Sequence, residues 1–181
     1  METKDLTKWA IDPAHSKVSF KVKHLMIANV MGNFREFQGE VTTVGTDFST
    51  AEISFSINSA SIDTEAADRD AHLKSPDFFD VANHPKIIFK GTGLKKLGDD
   101  MYELSGNLTI KEITKPVDLS VEFGGIMTDP WGNVKAGFSL TGKINRKDWA
   151  LNWNAALEAG GMLVGDEVKI TCDVELAKAV K

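Results

Sequence analysis

The sequence predicts an all-β fold, a barrel with an apolar interior, and three observations carry that prediction. Stretches with an apolar residue at every second position recur from end to end of the 181 residues. Successive side chains of a strand point to opposite faces, so each stretch describes a ribbon with one oily and one wet face. Turns rich in glycine, asparagine and aspartate separate the stretches, and their number, about eight or nine, is that at which a sheet closes on itself and holds one small ligand.

Taken in order, the first strand is the short stretch over residues 9–11. Val18, Phe20 and Val22 then alternate with Ser19, Lys21 and Lys23, and residues 37–44 form a further strand. Ile53, Phe55 and Ile57 alternate with Ser54, Ser56 and Asn58. The pattern breaks between Asp63 and Pro85. Residues 64–74 read as a short helix, with Asp63 as N-cap and Glu65 in the first turn, and Ser75-Pro76 starts a second turn that brings Phe78 and Phe79 onto the body of the fold. This insertion over about 64–80 is either a helical flap over one barrel mouth or a surface crossover. Alternation resumes with Ile87 and Phe89, then over residues 102–110, 117–123 and 134–144, and finally 168–176. The irregular segment between Asn145 and Gly165 is placed at a barrel rim, because long loops inside a compact domain are uncommon unless functional. There Trp149 and Trp153 either frame an opening or simply pack on the barrel. Gly106 and Gly142 share parity with inward residues, which removes volume from the interior or marks barrel bends.

Composition narrows the function classes. One domain accommodates this length. A net charge of −5, from 26 acidic and 21 basic residues, argues against nucleic acid, which requires a concentrated positive field. The start of the sequence carries no apolar leader, and no stretch is long enough to span a membrane. A single cysteine, Cys172, excludes an internal disulfide framework and agrees with a reducing compartment, so the expected location is cytoplasmic.

Catalytic patterns are sparse. The four histidines, His15, His24, His72 and His84, lie at least nine residues apart, a poor spacing for a local metal site, and no metal is expected. His24 shares parity with Val22 and reads either as a core histidine or as a ligand contact. His15, after Asp12-Pro13-Ala14, reads as a turn residue tying the first two strands. No Gly-x-Ser-x-Gly elbow exists, and Cys172 sits mid-strand on the apolar face, where burial raises a thiol pKa. Only three arginines occur, Arg35, Arg69 and Arg146. Their fork suits carboxylate or phosphate, and aspartates flank Arg69 and follow Arg146, so each is either a salt-bridge pin or a head-group contact.

The segments Trp9-x-Ile11-Asp12-Pro13-x-His15-Ser16, Val22-x-His24-Leu25, Gly32-x-Phe34-x-x-Phe37-x-Gly39, Arg69-Asp70-x-His72-Leu73, Asp77-Phe78-Phe79-Asp80, His84-Pro85-x-Ile87-x-Phe89, Gly106-x-Leu108-Thr109-Ile110, Gly137-Phe138 and Ile144-Asn145-Arg146-x-Asp148 together resemble the YceI family, over about residues 9–176. One departure is Trp149-Ala150, where the family more often has an aromatic followed by glycine. The resemblance implies one extended, lipocalin-like, eight-stranded antiparallel barrel filling residues 1–181. It also implies a long isoprenoid ligand, an isoprenoid quinone or a polyprenyl phosphate, and a homodimer.

The expected function is therefore a non-catalytic carrier in which burial of a prenyl tail supplies the affinity, at about 25 cal/mol per Å². Alternation places Phe20, Val22, Phe55, Ile57, Phe89, Leu108, Phe138 and Ile170 along the tail, with Phe34, Phe79, Trp149 and Trp153 nearer the rims. His24 is a further contact, and Arg69 and Arg146 are the head-group candidates; no catalytic residue and no cofactor beyond the bound lipid is expected. Two alternatives are an enzyme acting on an isoprenoid or other apolar molecule, and a filled barrel that binds another protein.

Overall fold

The computed structural model describes residues 5–158 and 160–180; the extreme ends of the expected domain, residues 1–4 and 181, lie outside them. The chain runs β1 (Leu6–Ile11), β2 (Lys17–His24), β3 (Ala28–Phe34), β4 (Phe37–Val44), β5 (Asp47–Asn58), β6 (Ile62–Asp63), α1 (Ala67–Lys74), β7 (Lys86–Lys96), β8 (Met101–Ile110), β9 (Ile113–Thr128), β10 (Val134–Asn145) and β11 (Val164–Lys178). All pairings are antiparallel, in the order β1-β4-β5-β7-β8-β9-β10-β11, and β11 returns to β1 to close an eight-membered ring.

The additional strands are continuations of ring members. β11 pairs with β1 near its C-terminal end, Leu176 to Lys178, and with β2 from Val164 to Asp173. β2 then pairs with β3, and β3 with β6. Thus β1 and β2, β3 and β4, and β5 and β6 are three bent staves, and the barrel is eight staves long in both halves. Alternation alone misses the two-residue β6 and also β3, where Gly32, at its inward position opposite Phe20, breaks the apolar rhythm.

The bend between β1 and β2 is held by a polar corner. Asp12 accepts from Ala14 N at 3.1 Å, lies 2.8 Å from His15 Nδ1, and receives Lys135 Nζ at 2.9 Å. Its backbone N donates to Glu175 O at 2.8 Å, so the corner is laced to β11. His15 does tie the first strands together. Asp12, His15 and Glu175 each bring a ligand atom within 4.8 Å of the others, but Lys135, 3.6 Å from Glu175, already supplies the positive charge.

This corner makes stability depend on pH. Hydrogen bonds from Lys135 and His15 lower the Asp12 carboxyl from 3.8 to about 2, so its contribution is present above about pH 4 and is lost as pH falls through 2. Asp12 raises His15 above 6.5, so that contribution is present below 6.5 and fades as pH climbs through the raised value. The seam is firmest between the two. Asp12→Asn is expected to lower unfolding free energy at pH 5 by about 1 kcal/mol, less than full linkage because water reaches the network; denaturant melts at pH 5 and pH 8 check this, with the larger loss at pH 5.

One end of the barrel is plugged by rings. Trp9, Phe48, Phe123 and Phe138 stack with centroid separations of 4.9 to 5.4 Å, and Trp9 Nε1 donates to Thr43 Oγ1 at 3.0 Å, so even the indole N–H is satisfied. At the other end no ladder joins β6 to β7 among the described residues; α1 and the turn after it fill that gap.

The insertion differs from expectation at its start. α1 begins at Ala67 with no side-chain cap, because Ile62 and Asp63 are drawn into a strand with β3. Asp63 instead accepts from Glu65 N and from Arg35 Nε, at 2.9 and 3.0 Å. Asp70, within the helix, reaches back to accept from Thr64 N at 2.9 Å.

Candidate ligand-binding cavity

Every second residue of the staves turns inward, and the resulting lumen holds a cavity of about 570 Å³, within the range of small-molecule sites. On β11 its wall extends from Val164 to Leu176, which at about 3.3 Å per residue and a tilt near 40° is about 30 Å along the axis. A cavity of that length accommodates an extended chain. The wall is almost wholly aliphatic and aromatic.

Glycines keep that bore open. Gly32 lies opposite Phe20 across the β2–β3 ladder and Gly39 opposite Phe55 across β4–β5. A Cβ at Gly39 would meet the Phe55 ring at 2.7 Å, and one at Gly32 would collide with Phe20. The rings therefore lie flat against the wall, over bare backbone, instead of crossing the lumen. Phe89 over Gly106 and Leu119 over Gly142 repeat the device, which gives the inward glycines their role as volume removed from the interior.

Phe20, Val22, Phe55, Ile57, Phe89, Leu108, Phe138 and Ile170 all line the cavity, joined near its open end by His24, Phe34, Phe79 and Trp153. Trp149 is the exception. It is 2 % exposed in the core around Val18, Ile57 and Ile110, and its Nε1 donates to Leu108 O at 2.9 Å, so it packs beside the lumen without lining it. Sequence reasoning also missed Phe48 and Leu163, and Asp68, His72 and Leu73 of α1, which line the cavity as well. His72 had a signal, since it lies three residues after Arg69 on one helix face. Contribution of these side chains to the lining makes α1 a cover of the mouth.

The mouth carries the polar groups. Arg69 donates from Nε to Thr64 Oγ1 and from Nη2 to Thr64 O, both at 2.8 Å. Its partners are not the adjacent Asp68 and Asp70, because neighbouring side chains on a helix diverge. Among the described residues no carboxylate pairs with Arg69, and Nη1 is unengaged. His72 Nε2 sits 2.8 Å from Asp77 Oδ2, and its ring meets Trp153 edge-on at 4.6 Å. The His24 imidazole, half-buried, makes no hydrogen bond among the described residues.

Arg146 also borders the cavity, yet every nitrogen of its guanidinium is engaged. Nε donates to Gly165 O at 2.8 Å, Nη1 to Leu151 O and to Trp153 O, and Nη2 to Val164 O at 3.3 Å. Asp166, 3.8 Å from Nη2, is its carboxylate neighbour, in place of the adjacent Asp148. Four carbonyls of the rim loop thus hang on one 3 %-exposed side chain. The turn before them ends at Ala150, whose φ of 59° is left-handed. Glycine is unstrained in that conformation, so the rim keeps its geometry here at the expense of some backbone strain.

Cys172 faces the lumen, where burial pushes its thiol up to about 11. Alkylation by a small apolar maleimide is expected to be slow at pH 7.5, to quicken about tenfold per pH unit up to that value, and to stop when the lumen is filled. Mass spectrometry of the intact protein reads this directly.

Against known proteins, residues 9–176 match the family model described as the YceI-like domain. A UPF0312 protein of Staphylococcus aureus (strain N315) is 38% identical over 173 residues, 95% of this chain and 98% of that protein. The crystal structure of the Campylobacter jejuni YceI protein aligns with a TM-score of 0.72 at 29% identity, over 88% of this chain and 91% of that one. Burkholderia cenocepacia BcnA shares the fold, with a TM-score of 0.79 at 22% identity over 91% and 98% of the two chains. So does a polyisoprenoid-binding domain from Saccharophagus degradans, with 0.71 at 13% identity over 94% and 98%. With the matched region covering nearly every stave of the barrel, this chain belongs to the YceI family.

Proposed function

We propose that the protein is a non-catalytic carrier of a long isoprenoid lipid, an isoprenoid quinone or a polyprenyl phosphate, with the tail in the lumen and the head at the mouth. The observation that carries this reading is the lumen itself: about 570 Å³ of apolar space, long and plugged by rings at one end. An open lumen of this kind also weighs against a filled barrel whose outer face alone binds a partner. The structurally similar Saccharophagus degradans domain is described as polyisoprenoid-binding, which agrees with the ligand class. Arg69, whose Nη1 is unengaged among the described residues, and His24 are the proposed head-group contacts, while Arg146 braces the rim around them.

A non-catalytic role is supported by the lumen's one thiol, held protonated by burial and therefore a poor nucleophile. The single cysteine agrees with the cytoplasmic placement in the proposal. The proposal also takes the working form as a homodimer, which light scattering tests.

Native mass spectrometry of protein purified without detergent, followed by organic extraction, tests the reading. The expected result is a co-purifying prenyl quinone or polyprenyl phosphate. An empty protein that also takes up no added quinone would overturn it.

A further inference from the structure

The β2–β3 hairpin ends in three apolar residues, Leu25, Met26 and Ile27, and Ile27 is 83 % and Met26 59 % exposed. Met31 on the outer face of β3 is 65 % exposed, and Met162 on the rim loop is also exposed. Gly161 lies beneath Met26, and Leu25 N donates to Leu163 O at 2.9 Å, so the tip and the rim loop form one continuous surface. That surface is the outer lip of the cavity. Its immediate neighbours His24, Val30, Leu163 and Val164 all line the lumen.

The turn is also built against local preference. Leu25 and Met26 both have left-handed backbones, φ 54° and 64°, where asparagine and glycine are the unstrained choices. Folding alone would favour a polar tip, and a large exposed apolar patch on a soluble chain marks an interaction site.

The charge beside the tip identifies the partner. Lys21 of β2, Lys169 of β11 and Lys143 of β10 stand in register across three neighbouring strands, and Met31 is the register partner of Lys21 on the other side. Like charges facing one another across a ladder are unfavourable. Lys143 is relieved by Glu167 at 3.7 Å, but among the described residues no carboxylate lies within ion-pair distance of Lys21, Lys23 or Lys169. A chain of net charge −5 thus keeps Lys21, Lys23 and Lys169 without a carboxylate partner among the described residues, behind an exposed apolar tip. That combination fits an anionic bilayer, the tip entering the acyl boundary and the lysines meeting lipid phosphates.

We propose that the Leu25–Ile27 tip and the Lys21/Lys169 row dock the barrel on an anionic membrane surface, with the cavity mouth against the bilayer so that the tail passes between membrane and lumen without crossing water. This rests on the carrier reading above, and its test separates the two. Wild-type protein is spun with vesicles of phosphatidylcholine alone and with vesicles containing about one quarter phosphatidylglycerol. In parallel, a benzoquinone bearing two isoprene units is titrated from solution by quenching of the tryptophan emission.

Docking predicts co-sedimentation with the anionic vesicles, reduced by salt and weak on phosphatidylcholine alone. Leu25→Asn/Met26→Gly relaxes the turn and so preserves the fold; it is expected to bind vesicles about a hundredfold more weakly. Lys21→Gln/Lys169→Gln is expected to lose about thirtyfold at low salt. Both variants are expected to titrate the soluble quinone as wild type does. Wild type that ignores anionic vesicles, or variants that bind them unchanged, would overturn the docking surface whatever the quinone result. Vesicle binding that requires the tip and the lysines, in a protein that takes up no quinone, would uphold the surface and overturn the carrier reading.

Discussion

Arg146→Ala is expected to lower the unfolding free energy by about 3–5 kcal/mol and to abolish ligand retention. The side chain donates to four rim carbonyls and sits 3.8 Å from Asp166. Its removal leaves Leu151 O, Trp153 O and Gly165 O without that donor, at about 1–3 kcal/mol apiece before relaxation and water entry, while Val164 O keeps its bond from Asn154 Nδ2 at 2.7 Å. Arg146→Lys keeps the charge but replaces five planar donors by three on a flexible stem, so it should recover less than half of the loss. Urea melts at pH 6 measure both. Because the hub holds Leu151, Trp153, Val164 and Gly165 around the mouth, a variant that still folds should show looser Trp153 packing, seen as a red-shifted emission that a Trp153→Phe background lacks, and faster release of ligand.

Ile170→Trp carries the second large effect, on binding instead of stability. Ile170 lies midway along the lumen, opposite Gly142 on one side and Phe20 on the other. An indole there would divide the cavity without introducing a charge. Each isoprene unit shut out forfeits about five carbons at about 0.8 kcal/mol each, so one excluded unit already weakens binding by more than a hundredfold. Long-tailed quinone is therefore expected to be lost while a short-tailed one, which needs only the outer half, is retained. Calorimetric titration with both ligands, beside a thermal melt within a few degrees of wild type, distinguishes a blocked lumen from a damaged fold.

The ring of strands was legible because period-two alternation is a direct image of a wall with one wet face, and the strands over 102–110 and 134–144 stand where that pattern puts them. Phe48 was not, because the β4–β5 register shifts between Thr42 and Val44 and moves Phe48 out of phase with Ile53 and Phe55. The helix start was misplaced because Asp63 has the chemistry of a cap but was taken by Arg35 and by a strand pairing. Trp149 belongs to a 3₁₀ turn, Arg146–Trp149, where no alternation exists to say which way a ring points. Arg146 looked like a carboxylate's partner because aspartates are visible in a sequence, whereas backbone carbonyls, its actual partners, are present at every residue and leave no mark. The mouth was harder to read than the wall for the same reason: its geometry comes from a helix, a rim loop and a hairpin tip brought together from three distant parts of the chain.

The most direct test of a lumen that solvates a prenyl tail is a titration series with one head group and increasing tail length. The account predicts that affinity climbs steeply with each isoprene unit, by about two orders of magnitude or more while the tail is still filling the lumen, and then levels off once the plug at Phe48 and Phe138 is reached. Affinity that is independent of tail length, or that follows the head group alone, would contradict it.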